Sequence, residues 1–144
     1  MLFIDASVIV AILAGEDDAY ELMDRLEREE GEFYVSPVAR MEATLSLSRR
    51  LAKAKAREKS VTPEIIQRAR SIVDQFLVDI EAKEATITAD VGHKAIDAAL
   101  IYGKIVNHPA KLNMGDCFAY ACAQAYRTKI AYKGDDFTHT DLGW

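Results

Sequence analysis

The chain has 144 residues, half of them apolar and 28% charged, with a formal net charge of −5. That length fits one domain, residues 1–144, able to bury a core without disulfides or a structural metal, and the composition excludes a disordered, collagen-like or low-complexity chain. The acidic balance argues against a protein that holds nucleic acid by bulk charge alone.

Leu2, Phe3 and Ile4 form an apolar run ending at Asp5, which predicts a buried strand, and residues 6–14 predict a short apolar helix closed at Gly15. The stretch has no basic flank and is too short to span a bilayer, so a cytoplasmic protein with no membrane association is expected. A second helix is expected over about 17–29, with Ala19, Leu22, Met23 and Leu26 on one face. Residues 32–35, "EFYV", are β-prone. Ser36 and Pro37 then start a helix expected to run to about 58. Thr62–Pro63 repeats that start signal, and Ile65, Ala69, Ile72, Val73, Phe76 and Leu77 keep helical spacing. "ATIT" (85–88) predicts a third strand, 89–106 a helix, and "NHPAKLNMG" a loop. The next helix, opened by Asp116, carries Phe118, Ala121, Cys122 and Ala125, and "KIAY" (129–132) predicts a fourth strand ending at "KGDD". Short strands alternating with helices imply an α/β fold with a mainly parallel sheet of about four to five strands.

Two charge runs stand out. Residues 17–32 hold eight acids against two arginines, and residues 49–59 six basic residues against one acid. A solvated helix face is the ordinary reading of the acidic run; for the basic run a solvated face and a contact surface stand level. Cys117 and Cys122 lie about 140° apart around a helix, so they neither bridge locally nor share a metal, and buried thiols are expected.

In open parallel sheets functional groups gather beyond the carboxyl ends of the strands. Asp5 follows the first strand, Glu42 lies in the second turn of the helix after the second, Asp116 opens the helix leading to the fourth, and Asp136 or Asp135 directly follows that strand. Singly, each has an ordinary reading: a helix cap for Asp5 or Asp116, a first-turn acid for Glu42, a turn residue for Asp135 or Asp136. Jointly, they place four acids from distant parts of the chain at one edge. Clustered carboxylates resist joint ionisation unless a cation offsets them, and an all-oxygen site selects a hard ion, Mg²⁺ or Mn²⁺. The chemistry that fits is phosphodiester hydrolysis. In that reading Asp5 and Asp116 are direct ligands, Glu42 acts through a metal-bound water, and the C-terminal acid completes the pocket. Ser7 either caps the helix or steadies Asp5.

Other acid-based sites lack their parts. Ser7 stands where a haloacid-dehalogenase-like phosphatase needs a second Asp, Ile9 interrupts a DxSxS adhesion motif, and His93, His108 and His139 show no ligand spacing.

Taken in order, "FIDAS", "ARMEATLSL", "KLNMGDCFAYACA" and "AYKGDDFTHTD" resemble the PIN-domain family, and within it the VapC toxins of bacterial toxin–antitoxin pairs, over essentially the whole chain. The resemblance implies a Mg²⁺-dependent endoribonuclease built as helices around a parallel sheet. It also implies a homodimer and inhibition by a small VapB-like antitoxin protein whose tail fills the acidic cleft. The implied site falls on Asp5, Glu42 and Asp116, with Asp136 preferred over Asp135 as the fourth acid and Asn113 supporting. RNA phosphates would meet Arg49, Arg50 and Lys53 after Glu42, and Lys111 and Lys133 beside the later acids. The helix pair spanning 7–29 and 37–56 would leave a groove for an amphipathic partner helix, with ordinary core packing as the alternative. Two other functions share these motifs: a catalytically silent PIN-like interaction module, and a nuclease for structured DNA.

Overall fold

The computed structural model describes residues 1–54 and 60–144. Its elements alternate along the chain: β1 (Leu2–Ile4), α1 (Ala6–Leu13), α2 (Ala19–Arg28), β2 (Phe33–Val35), α3 (Pro37–Ala54) and α4 (Pro63–Asp79), followed by β3 (Lys83–Glu84), α5 (Ala89–Tyr102), α6 (Met114–Ala125) and β4 (Lys129–Ala131). The four strands form one sheet in the order β3-β2-β1-β4, every pairing parallel. β1 is central, with Phe3 opposite Tyr34 on one side and Ile130 on the other.

Parallel strands covered on both faces must be apolar throughout, and β1 is fully buried. Phe3, Ile4, Val8, Ile9, Val35, Leu47, Val73, Ile130 and Phe137 are sealed in a single core between the sheet and its helices. Because every strand points the same way, the loops after β1, β2 and β4 emerge on one edge. α6, which returns the chain to β4, starts from that edge.

Several boundaries differ from the sequence expectation. The third strand is Lys83–Glu84 rather than 85–88. The backbone N–H of Ala85 still reaches Val35 (2.8 Å), but Thr88 leaves the sheet and its Oγ1 accepts from Val91 N–H at the start of α5. A β-branched residue has thus been spent on a cap. The edge strand that remains is charged: Lys83 pairs with Glu32, and Glu84 with Arg40 (2.9 Å), which discourages edge-to-edge association.

The helix expected to reach 106 stops at Tyr102, because Gly103 turns extended (φ −68°, ψ 147°) and a 3₁₀ turn, Lys104–Val106, follows. A Cβ at Gly103 would lie 2.3 Å from the Ala99 carbonyl oxygen, so the turn needs glycine. The second helix starts at Ala19 rather than 17, and α6 at Met114 with Asn113 as its cap rather than at Asp116. For the helix expected to end near 58, α3 is described to Ala54, and the remainder lies outside the described residues. Cys117 and Cys122 are free and buried.

Candidate metal-dependent nuclease site

Asp5 begins the site. β1 ends at Ile4, and Asp5 takes an extended conformation as the N-cap of α1, its Oδ2 accepting from Ser7 N–H (2.9 Å) and Ser7 Oγ–H (2.5 Å). Ser7 Oγ in turn accepts from the Lys133 backbone N–H beyond β4 (3.0 Å). Of the two alternatives for Ser7, Asp5 takes the capping place, and the Ser7 hydroxyl holds Asp5 and ties it to the loop after β4.

Asp116 is held from the other side. Asn113 caps α6 by accepting from Asp116 N–H, and Asp116 Oδ2 accepts from Asn113 N–H, both at 2.9 Å. This reciprocal capping box fixes the first turn. Among the described residues Asp116 Oδ1 has no hydrogen-bond partner within the protein.

Glu42 reaches the same place from α3. Its carboxylate lies directly over Gly115: a Cβ there would come within 2.2 Å of Oε1 and 2.3 Å of Oε2. Glycine at 115 is the cradle that lets this carboxylate stand beside Asp116. The role was not visible in the sequence, where "MGD" reads only as a helix start.

Asp5, Glu42, Asp116 and Asp136 line one cleft of about 500 Å³, together with Ser7, Val10, Leu45, Ser46, Arg49, Arg50 and Lys133. Asp135 is exposed and does not line it; its backbone oxygen accepts from Thr138 N–H (3.1 Å). Arg49, Arg50 and Lys133 are at the cleft, whereas Lys53 and Lys111 are exposed away from it. Where the notional groove between the early helices was expected, α1 and α3 pack together, and Val10, Leu45 and Ser46 carry their junction into the cleft itself.

The acidic run is not wholly solvated. Lys133 Nζ donates to Asp18 Oδ1 (2.9 Å) and also pairs with Glu16, whose Oε1 lies 2.5 Å from Arg50 Nη2. The sequence offered no sign of this, because the ion pairs join residues more than thirty positions apart.

Burial and crowding set the charge state. Asp5, Glu42, Asp116 and Asp136 all have raised pKa values, with desolvation the largest cause in each. Asp116 is pushed up to about 7, the Asn113 hydrogen bond opposing burial while Asp5, Asp136 and Glu42 add repulsion. Glu16 is shifted the other way, chiefly by its hydrogen bond from Lys133.

Among the described residues no three His, Cys, Asp or Glu side chains are gathered closely enough to enclose an ion by themselves. Mg²⁺ does not require such a cage, since it is commonly held through one or two carboxylates and several waters. The unbonded Asp116 oxygen, the Glu42 carboxylate in its glycine cradle and the lack of His or Cys among the described residues lining the cleft fit a hard divalent ion.

The PIN domain family model matches residues 2–142. The chain belongs to the PIN-domain family. Within it, this PIN domain is 46% identical to a VapC ribonuclease of Rhizobium meliloti over 143 residues, 99% of this chain and 100% of that one. It is also 36% identical to Ribonuclease VapC42 of Mycobacterium tuberculosis, covering 98% of this chain and 96% of the relative. The fold is similar to the crystal structure of Mycobacterium tuberculosis VapC20, a sarcin-ricin loop cleaving toxin. That match has a TM-score of 0.73 and 15% identity, and covers 99% of this chain and 96% of the other. No helix among the described residues of this PIN domain is long and apolar enough to cross a membrane.

Proposed function

We propose that this PIN domain is a divalent-metal-dependent endoribonuclease, using Mg²⁺ with Mn²⁺ as a substitute, and the toxin of a pair completed by a small VapB-like antitoxin. One observation carries the reading: Asp5, Glu42, Asp116 and Asp136, from four separate parts of the chain, line one cleft with Arg49, Arg50 and Lys133 at its walls. The VapC ribonucleases to which the chain is similar over nearly its whole length support the same activity.

In this reading Asp5 and Asp116 would hold the ion, each already oriented by a hydrogen bond that uses its Oδ2. When bound, the ion supplies charge neutralisation and a water of lowered pKa for attack on the phosphodiester. Glu42, its carboxylate seated over Gly115, would be the group that accepts a proton in the cleft. Asp136 completes the negative wall, and Ser7 keeps Asp5 in place. The basic side chains hold the RNA backbone, which provides affinity with little sequence reading.

The antitoxin's tail would enter this cleft through the junction of α1 and α3. A homodimer belongs to the same reading. Its support is the apolar face where Ile96 (61% exposed), Ile105 (86%) and Met114 (78%) surround a groove of about 840 Å³. Knobs and groove on one patch suit a two-fold contact between copies, which light scattering tests directly. The cytoplasm, where RNA and an antitoxin are both present, is the compartment this function requires.

The deciding experiment is incubation of purified protein with RNA, with EDTA, and with Mg²⁺ restored. Cleavage that EDTA stops and Mg²⁺ restores supports the proposal. RNA left intact under all conditions would reassign the fold to an interaction module, and cleavage confined to structured DNA would reassign the substrate. Co-expression with an adjacent small reading frame tests the pairing: loss of activity is expected, and undiminished activity argues for a solitary nuclease.

A further inference from the structure

Two cations line the acid cleft, Arg50 from α3 and Lys133 from the loop after β4, and a single carboxylate joins them. Glu16 Oε1 is 2.5 Å from Arg50 Nη2, and Oε2 is paired with Lys133 Nζ. Glu16 is the most enclosed of the three, its side chain 18% exposed against 48% for Arg50 and 34% for Lys133. Asp18 takes a further contact with Lys133 at 2.9 Å. An Arg and a Lys converging on two oxygens of one anion is the arrangement that recognises a phosphate.

We propose that Arg50 and Lys133 form a phosphate subsite at the mouth of the cleft and that Glu16 occupies it as an internal competitor. The inference rests on the ribonuclease reading for the source of the phosphate, an RNA backbone. An entering phosphodiester takes the place of the Glu16 carboxylate, which turns out to solvent from the segment between α1 and α2. Short or weakly held RNA must overcome that competition with one phosphate contact alone. A substrate that also engages the rest of the cleft overcomes it easily, so the exchange favours well-fitted RNA over any polyanion. Lys133 couples this to the acids as well: its side chain meets Glu16 while its backbone N–H holds Ser7, and Ser7 holds Asp5.

The test measures binding of a fluorescein-labelled single-stranded RNA oligonucleotide to the whole metal-free protein in EDTA, across a salt series. Glu16→Gln is expected to bind roughly three- to tenfold more tightly at low salt, with a log–log salt slope steeper by about 0.7–1.4 as one or two cations become available. Arg50→Gln and Lys133→Gln are expected to weaken binding more in the Glu16→Gln background than in the wild-type one. Equal affinity and slope for wild type and Glu16→Gln, or strictly additive effects, would overturn the subsite and leave Glu16 a structural brace. Should Glu16→Gln not fold by circular dichroism, Glu16→Asp serves, because its shorter side chain cannot span both cations; it is expected to show a smaller gain in the same direction. The two proposals fail separately. Wild-type protein that cleaves RNA while Glu16→Gln leaves binding unchanged loses only the subsite, and protein that cleaves nothing while Glu16→Gln gains affinity loses only the nuclease.

Discussion

The helix starts that face the cleft differ from those that do not. α4 and α5 are capped by Thr62 and Thr88, whose hydroxyls accept from Ile65 N–H and Val91 N–H at 3.3 Å. α1 is capped by Asp5, and α6 carries Asp116 in a capping box with Asn113, all at 2.9 Å. The local task is the same, and at α4 and α5 a neutral threonine performs it. Asp5 caps α1 and Asp116 closes the box around the Asn113 cap while 7% and 8% exposed, with pKa values raised by burial and by neighbouring carboxylates. A cap does not require that penalty, so the acids at these two starts serve the cleft as well as the helix.

The contrast breaks most sharply at Asp5. Asn ranks with Asp as an N-cap and carries no charge, so Asp5→Asn is expected to fold with an unchanged or higher melting temperature. RNA cleavage is expected to fall by on the order of 10³, the loss of several kcal/mol of metal-borne stabilisation. Retained activity would leave Asp5 a cap like the threonines.

Gly115→Ala separates cradle from cap. Alanine is the better helix former, yet its Cβ would fall 2.2 Å from Glu42 Oε1, so the carboxylate must move. Cleavage is expected to drop by roughly 10² through misplacement, with little change in melting temperature. Full activity would show that Glu42 needs no such support.

Acid and neutral helix starts also respond differently to pH. Asp116, pushed up to about 7 from an ordinary value of 3.8, keeps its proton in the folded state over a range where the unfolded chain has lost it. The native state then binds more protons, so stability of the metal-free protein is greatest below about pH 4 as far as this group is concerned. It falls as pH rises to about 7, by of order 1–3 kcal/mol once water in the open cleft is allowed for. Mg²⁺ is expected to raise the melting temperature more at pH 8 than at pH 5. A metal-free melting temperature that climbs across this range would contradict the crowding of the acids.

The smallest effect lies on the neutral side. Thr88→Ala is expected to lower stability by about 1 kcal/mol and leave cleavage unchanged, since Thr88 only caps α5. A loss of activity without a loss of stability would erase the distinction between the two kinds of start.

Much of this was legible from residue order. The apolar "LFI" before Asp5 read as a buried strand and is one, and Thr62–Pro63 ahead of a five-turn apolar stripe marked α4 to within a residue. Other signals misled for identifiable reasons. Thr86 and Thr88 favour strands by propensity, but the chain uses Thr88 as a hydroxyl acceptor, and a local cap outweighed an extra pair of sheet bonds. The helix expected over 89–106 overran Gly103, where the chain turns and a Cβ would meet the Ala99 carbonyl oxygen.

The sequence by itself determined the strand–helix alternation, and with it which edge of a parallel sheet would carry Asp5, Glu42, Asp116 and Asp136. It did so because hydrophobic periodicity and capping chemistry are local and repeat within a few residues. Only the tertiary structure decided that Asp136 rather than Asp135 lines the cleft, that Gly115 makes room for Glu42, and that Glu16 bridges Arg50 and Lys133. Those are contacts between segments far apart in the chain, and their distances depend on how helices pack across the sheet, which no local pattern encodes.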